Sequence, residues 1–218
     1  MRQIKPKKTL VEQTYDIVLD AICSGEFTPG ERLTQEEIAE RINVSRQPVI
    51  HALAMLKANN FVEDAGKRGV VVSRISADHF RDIYDFRSAV EPLAVRLASV
   101  RMPQDAASQA EKVMENGWTA VSSGSARRQV EADIAFHEMI YGWAGNEIII
   151  STMRMNWQHI RRAMSLVVRE GISAETSWQE HRRIVDALLG GSVDDAALEM
   201  TGHISRAQEK TMAALIAG

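Results

Sequence analysis

Strand-forming patterns occur only before residue 76 of the 218, and this confinement restricts the possible folds more than any other feature. The spacing of apolar residues predicts one helix over about 10–24, a short second helix beginning at Thr34 and a third after Ser45. Two short strands then follow, Phe61-Val62-Glu63 and Val70-Val71-Val72, around a basic turn. Three helices followed by a β-hairpin are typical of a winged helix-turn-helix.

From Ser76 onward the apolar spacing is helical throughout, so we expect a mainly α protein with an all-α antiparallel bundle after the winged helix. Proline and glycine breaks divide this part into about six helices. The pattern predicts two domains, 1–75 and 76–218. The six predicted helices lie near 76–101, 104–122, 126–143, 147–169, 174–189 and 193–216.

Composition excludes several classes of protein. A single cysteine, Cys23, rules out an intramolecular disulfide framework and a multi-cysteine metal site. No apolar run approaches the ~20 residues that span a bilayer, and the basic N-terminus has no apolar signal core behind it. We therefore expect a cytoplasmic protein without a membrane partner. The net charge of −3 means that any contact with DNA must come from local basic clusters.

The turn between the second and third helices has its own signals. Thr34 and Glu37 have the spacing of a capping box, and Asn43 stands where a left-handed backbone is tolerated. We expect Ser45 to cap the third helix, with Pro48 in its first turn.

The third helix has the features of a DNA-reading helix. Its N-terminal side chains lie opposite its apolar face, so they would meet base edges and phosphates in the major groove. Arg46 can pair with guanine and Gln47 with adenine, whereas the alternative is an ordinary solvated surface. The predicted DNA contacts are Arg32, Thr34, Ser45, Arg46, Gln47, Ile50 and His51, with Lys67 and Arg68 on the wing.

Four residues of the second domain have the spacing of a metal site. Asp133 and His137 are four apart, so both project from one face of a helix. His181 lies 10 residues before Gly191 and His203 lies 12 after it, which sets them at one level if the last two helices form a hairpin. One carboxylate and three imidazoles suit a divalent ion such as Zn²⁺ or Ni²⁺. The alternative is four unrelated hydrogen-bonded or surface residues.

The combined motifs resemble a known family. The stretch PGERLTQEEIAERINVSRQPVIHALAMLKANNFVE, followed by KRGVVV, is similar to the winged helix of GntR-type bacterial transcription regulators. The segments YDFRSAVEP, DIAFHEMIYGWAGN and EHRRIVDALLGG resemble the helical ligand-binding domain of the FadR subfamily. Six C-terminal helices favour its VanR-like branch. The resemblance implies the same four metal ligands, and repression released by a ligand.

Three residues, at two sites in the winged helix, depart from the family pattern. Glu36 stands where the family usually has an arginine, and Ile50-His51 stands where it usually has Arg-Glu. The loss of cations weakens the attraction to phosphate, and Ile50 can pack against a thymine methyl group instead. The family's usual operator is therefore not carried over to this chain.

Arg87 is the candidate effector-binding residue. Glu91 lies four residues later, so the pair could be an ordinary surface ion pair. The resemblance implies instead that Arg87 faces a central cavity, where a small carboxylate or sugar acid would bridge it and the metal. His159 is the second candidate residue for this cavity.

These features predict a repressor that binds a pseudo-palindromic operator as a homodimer, because two-fold symmetry doubles what one helix can read. Two alternatives stay open: a regulator that senses the metal itself, and a metal-dependent enzyme with an appended DNA-binding domain. The enzyme is disfavoured because no base stands beside the metal site. Tyr141 occupies the place of the second histidine of a zinc-protease motif that would begin at His137.

Overall fold

The computed structural model describes residues 8–66, 69–169 and 174–217, without the side chains of 165–169 and 216–217. Contacts between Cα atoms divide the chain into two compact units, Met1–Ile75 and Ser76–Gly218. The first unit contains α1 (Leu10–Ser24), β1 (Arg32–Leu33), α2 (Gln35–Arg41), α3 (Arg46–Ala58), β2 (Val62–Asp64) and β3 (Val70–Val72). The second contains α4 (Ala77–Arg101), α5 (Ala106–Ser122), α6 (Ala126–Ala144), α7 (Glu147–Arg169), α8 (Glu175–Leu189) and α9 (Val193–Ala217).

The turn between α2 and α3 follows from local chemistry. Thr34 and Glu37 form the predicted capping box, in which the Thr34 hydroxyl accepts from the Glu37 N–H and the Glu37 carboxylate accepts from the Thr34 N–H. Asn43 has φ 53°, as expected for a left-handed turn residue. The prediction that the Ser45 side chain caps α3 is wrong, because that side chain makes no capping hydrogen bond. Pro48 stands third in α3 and has no N–H to donate to it.

The sheet has one more strand than the expected hairpin. Its order is β1-β3-β2, both pairings are antiparallel, and Leu33 pairs with Val70. β1 has only two residues, which is too short to show an alternating pattern. The winged helix-turn-helix is otherwise the predicted one, and its core joins α1, α3 and the sheet through buried residues such as Ile22, Leu56 and Phe61.

The second unit is an all-α bundle of six helices among the residues described. Helix ends coincide with the glycine breaks: Gly145 takes a left-handed conformation after α6. The Asn146 side chain then accepts hydrogen bonds from the N–H groups of Ile148 and Ile149 at the start of α7. Gly117 permits close packing of α5 on α8, since a Cβ atom there would lie 2.1 Å from the ring of Trp178. The predicted fold class is confirmed.

The core of this bundle surrounds a small set of buried polar groups. The aromatic side chains of Phe136, Trp157 and Trp178 are almost completely buried. Four helices, α4, α6, α8 and α9, also carry buried charged or imidazole side chains, and these come together in the interior. Among the described residues, no helix combines the length and apolar character that a membrane-spanning segment needs.

Candidate functional site

The predicted reading residues of α3 lie on its exposed face. Ser45, Arg46, Gln47, Ile50 and His51 are all exposed, while Val49 and Leu53 are buried on the other side. This division results from the amphipathic spacing of α3 and leaves the side chains that carry hydrogen-bonding groups available to DNA.

The other predicted DNA contacts differ in their surroundings. Arg32 is exposed on β1, whereas the Thr34 backbone N–H and hydroxyl are both engaged with Glu37. Thr34 therefore fixes the start of α2, and its hydroxyl hydrogen is donated to the Glu37 carboxylate rather than to a phosphate. Lys67 and Arg68 lie outside the described residues.

Arg46 carries an acidic partner in the absence of DNA. Its Nη1 atom lies 2.9 Å from Oε1 of Glu36, and both side chains are more than half exposed. An exposed ion pair of this kind contributes roughly 0–1 kcal/mol, so DNA can displace it at small cost. Without DNA, Glu36 is therefore the ion-pair partner of Arg46, the residue that is best suited to read guanine.

The structure brings the four candidate metal ligands together in the second unit. Asp133 and His137 lie on α6, His181 on α8 and His203 on α9, and their ligand atoms all lie within 4.8 Å of one another. His181 Nε2 is 3.3 Å from His203 Nε2 and 3.5 Å from Asp133 Oδ1. One ion with bonds of about 2.0–2.2 Å holds its ligands roughly 3–4.4 Å apart, so the cluster fits a single ion after small movements.

The surroundings favour the neutral imidazoles that a metal requires. Burial lowers the pKa of His181 well below its usual range. Burial also lowers the pKa of His203, although the carboxylate of Glu180 opposes that shift. Neutral imidazoles present a lone pair, and the negative charge of Asp133 completes a donor set suited to a divalent ion.

Two buried glutamates lie behind the histidines. Residue spacing in the sequence did not indicate either of them as part of the metal site. Glu91 Oε2 lies 2.6 Å from His137 Nδ1, and Glu180 Oε2 lies 2.8 Å from His203 Nδ1. A carboxylate at Nδ1 favours the tautomer with its proton there, which leaves Nε2 to bind a metal. Each glutamate comes from a different helix than its histidine, so no spacing rule within one helix could have found either pair.

Arg87 lies beside this cluster and is itself buried. Its Nε donates to Glu91 Oε1 at 2.5 Å, and its Nη2 lies 3.4 Å from His137 Nε2. Burial disfavours both charges, but their mutual attraction keeps the pKa of Arg87 above and that of Glu91 below the usual range. The surface ion pair that the spacing allowed is wrong in one respect: the pair exists, but it is in the interior.

A small cavity of about 60 Å³, open to solvent, adjoins the cluster. Arg87, Asp133 and His203 line it, together with Lys210 of α9 and Ser177 of α8. His159 is not among the described residues that line this cavity. It packs against His79, with 4.9 Å between the ring centroids.

Both units match known protein families. The family described as bacterial regulatory proteins, gntR family, matches residues 10–72, and the FCD domain matches residues 82–206. The chain belongs to the GntR family. Within this family the FCD domain places it in the FadR/VanR-type group, in agreement with the resemblance seen in the sequence.

Individual GntR regulators resemble the chain over most of its length. The Nta operon transcriptional regulator of Aminobacter aminovorans is 30% identical, with 83% of this chain and 84% of that protein covered. The HTH-type transcriptional repressor RspR of Escherichia coli K12 is 25% identical, with coverages of 95% and 91%. The structure of E. coli McbR/YncC superposes with a TM-score of 0.80 at 18% identity, over 97% of this chain and 99% of that one. These relatives are transcriptional regulators, so the prediction that the chain is not an enzyme is confirmed.

Proposed function

We propose that this GntR regulator is a cytoplasmic repressor whose affinity for DNA is controlled by a small organic acid bound at a metal ion. The observation that carries the proposal is the buried cluster of Asp133, His137, His181 and His203, with the guanidinium of Arg87 at its edge. Such a cluster would not stabilise a purely structural core, because burying a carboxylate among neutral imidazoles costs free energy unless a cation is bound there.

The ion that the cluster suits is a borderline divalent metal, Zn²⁺ or Ni²⁺. When bound, it would act as a Lewis acid that holds a carboxylate oxygen. Arg87 would donate to the other oxygen of that carboxylate through Nη2, which has only a ring nitrogen as its nearby partner in the described contacts. Glu91 keeps the guanidinium in place by binding Nε.

The same geometry suggests how binding is transmitted. A carboxylate that joins the ion to Arg87 links α4 to α6, α8 and α9, which carry the metal ligands. α4 follows the winged helix in the chain after Ser73–Ser76, so a movement of α4 would alter the spacing of the two reading helices in a dimer. Coupling of this type is typically 1–3 kcal/mol, or about 5–150-fold in affinity for the operator.

An exposed apolar stripe on α4 supports a homodimer. Phe86, Leu93 and Val100 are spaced seven residues apart, and their exposures are 37%, 48% and 79%. Leu198 on the neighbouring α9 is 71% exposed. Large exposed side chains in a row are typical of a self-association surface. A two-fold dimer would bind a pseudo-palindromic operator.

The experiment uses the full chain purified without a histidine tag and a DNA site that it selects from a random library. Elemental analysis should find close to one metal ion per chain, and the Asp133→Ala, His137→Ala double variant should retain none. His79→Ala, which removes an exposed imidazole, serves as the control. Full metal content in the double variant would refute the site.

Operator binding is then measured for the metal-free chain, the chain with Zn²⁺ alone and the chain with Zn²⁺ plus a panel of small carboxylic and sugar acids. A change of affinity that requires an acid supports the proposal. A change produced by Zn²⁺ alone, with no further effect of any acid, identifies a direct metal sensor instead.

A further inference from the structure

The cavity beside the metal cluster contains a second cation that neither the metal site nor the Arg87–Glu91 pair uses. His203, Ala207 and Lys210 all line it, and they follow one another on α9 at steps of four and three residues. This spacing puts the three side chains on one face of the helix. Lys210 stands seven residues beyond the metal ligand His203, which is roughly 10 Å along the axis.

The part of the cavity lining between His203 and Lys210 consists of a small, uncharged side chain. Ala207 offers only a methyl group between His203 and Lys210, so no large side chain of α9 separates the two along this face. The lysine side chain is half-buried and long enough to reach back toward the cluster. Ser177, on α8, adds a hydroxyl group to the same lining.

With a divalent ion bound, the positive charges around the cavity would outnumber the negative ones. Glu91 neutralises Arg87 through a contact of 2.5 Å, and Asp133 neutralises one of the two charges of the ion. The three imidazole ligands add no charge in their neutral form. One positive charge at the ion and one at Lys210 therefore remain, since Lys210 forms no ion pair with any described residue that lines the cavity.

We propose that the effector is a dianion, a dicarboxylate of about four to six carbons, rather than a simple monocarboxylate. One carboxylate binds the metal ion and Arg87, and the other binds the ammonium group of Lys210 with the Ser177 hydroxyl beside it. This inference rests on the proposed function, because it assumes an acid at the metal. It adds the class of acid and the residue that selects it.

The test compares acids that differ only in their distal group. Succinate, glutarate and adipate are paired with succinamate, glutaramate and adipamate, in which an amide of nearly the same shape replaces one carboxylate. Binding to the Zn²⁺-loaded full chain is measured by calorimetry. A charge-assisted contact is worth about 1.5–3 kcal/mol, so at least one dicarboxylate should bind roughly 10-fold or more tightly than its amide partner.

Variants at Lys210 then assign the preference to a residue. Lys210→Met should reduce the dicarboxylate to the affinity of its amide partner and leave the amide unchanged. Lys210→Arg should restore most of the difference. Lys112→Met removes one positive charge from the exposed face of α5, away from the cavity lining, and should have no effect.

Two outcomes overturn the inference and leave the proposed function standing: equal binding of each acid and its amide, or a preference that survives Lys210→Met. A third outcome, in which no acid or amide of the panel binds the Zn²⁺-loaded chain, overturns the dicarboxylate assignment. The proposed function is judged separately, by the metal content of the double variant and by whether any acid of the wider carboxylic and sugar acid panel changes operator binding.

Discussion

Each unit of the protein contains arginine–glutamate pairs, and one pair from each unit gives a clear comparison: Arg46–Glu36 and Arg87–Glu91 share their chemistry and differ in their surroundings. Arg46 and Glu36 meet at 2.9 Å with side-chain exposures of 65% and 51%. Arg87 and Glu91 meet at 2.5 Å with exposures of 1% and 0%. Water screens the first pair, so its partners exchange easily. The second pair lies in the interior, where each charge depends on the other.

This difference matches the tasks that we propose for the two units. A DNA-reading arginine has to leave its resting partner when a guanine is offered, and a weak exposed pair permits that. An arginine that positions a ligand has to hold one orientation before the ligand arrives, and a buried pair fixed by Glu91 does so.

The buried pair should be far more important to stability than the exposed one. Glu91→Ala leaves the Arg87 charge buried without its partner, and we expect a loss of about 3–5 kcal/mol in the free energy of unfolding. The matched variant Glu36→Ala should cost less than about 1 kcal/mol. Chemical denaturation of the metal-free chain measures both values. Similar costs for the two variants would contradict the contrast.

Glu180 should control metal binding through His203. Glu180→Gln removes the negative charge behind Nδ1 of that histidine, and loss of such a supporting carboxylate typically lowers metal affinity roughly 10–100-fold. Glu199→Gln is the control, because Glu199 pairs with Arg183 at 3.0 Å in a partly exposed ion pair. Competition with a zinc chelator gives both affinities. An unchanged affinity in Glu180→Gln would remove this glutamate from the site.

Arg46→Ala should weaken binding to the selected operator by about 1–3 kcal/mol and relax the preference at one base pair of each half-site. Binding to a panel of operators with single substitutions reveals both effects. Equal losses on every operator would show that Arg46 contacts phosphate rather than a base.

Glu36→Gln should have the smallest effect, and in the opposite direction. Removing the resting partner of Arg46 also removes a negative charge near DNA, so operator affinity should rise by up to about 1 kcal/mol. The gain should shrink when Glu36→Gln is combined with Arg46→Ala, because only the loss of a negative charge near DNA then remains. A gain of the same size in that double variant would mean that Glu36 acts on DNA without Arg46.

Much of the fold was accessible from the sequence because its signals are local. The six helices after Ser76 end close to the predicted positions, since glycine and proline act on the backbone where they stand. Two features of the winged helix were not predicted correctly, and each has a physical reason. β1 was missed because two residues show no period. The Ser45 side chain makes no capping hydrogen bond, and Pro48 stands at one of the two positions whose N–H could have donated to it.

Local patterns in the sequence were enough to predict the winged helix-turn-helix and the helical bundle, and the motifs indicated the family. Residue spacing on a helix fixes which side chains share a face, so it also indicated the four candidate ligands. The residues behind and beside those ligands are set by how the helices pack together. Glu91 reaches His137 from α4 to α6, and Glu180 reaches His203 from α8 to α9. Burial, which turns Arg87–Glu91 from a weak pair into a fixed one, depends on the packing of several helices and has no signature in any single segment.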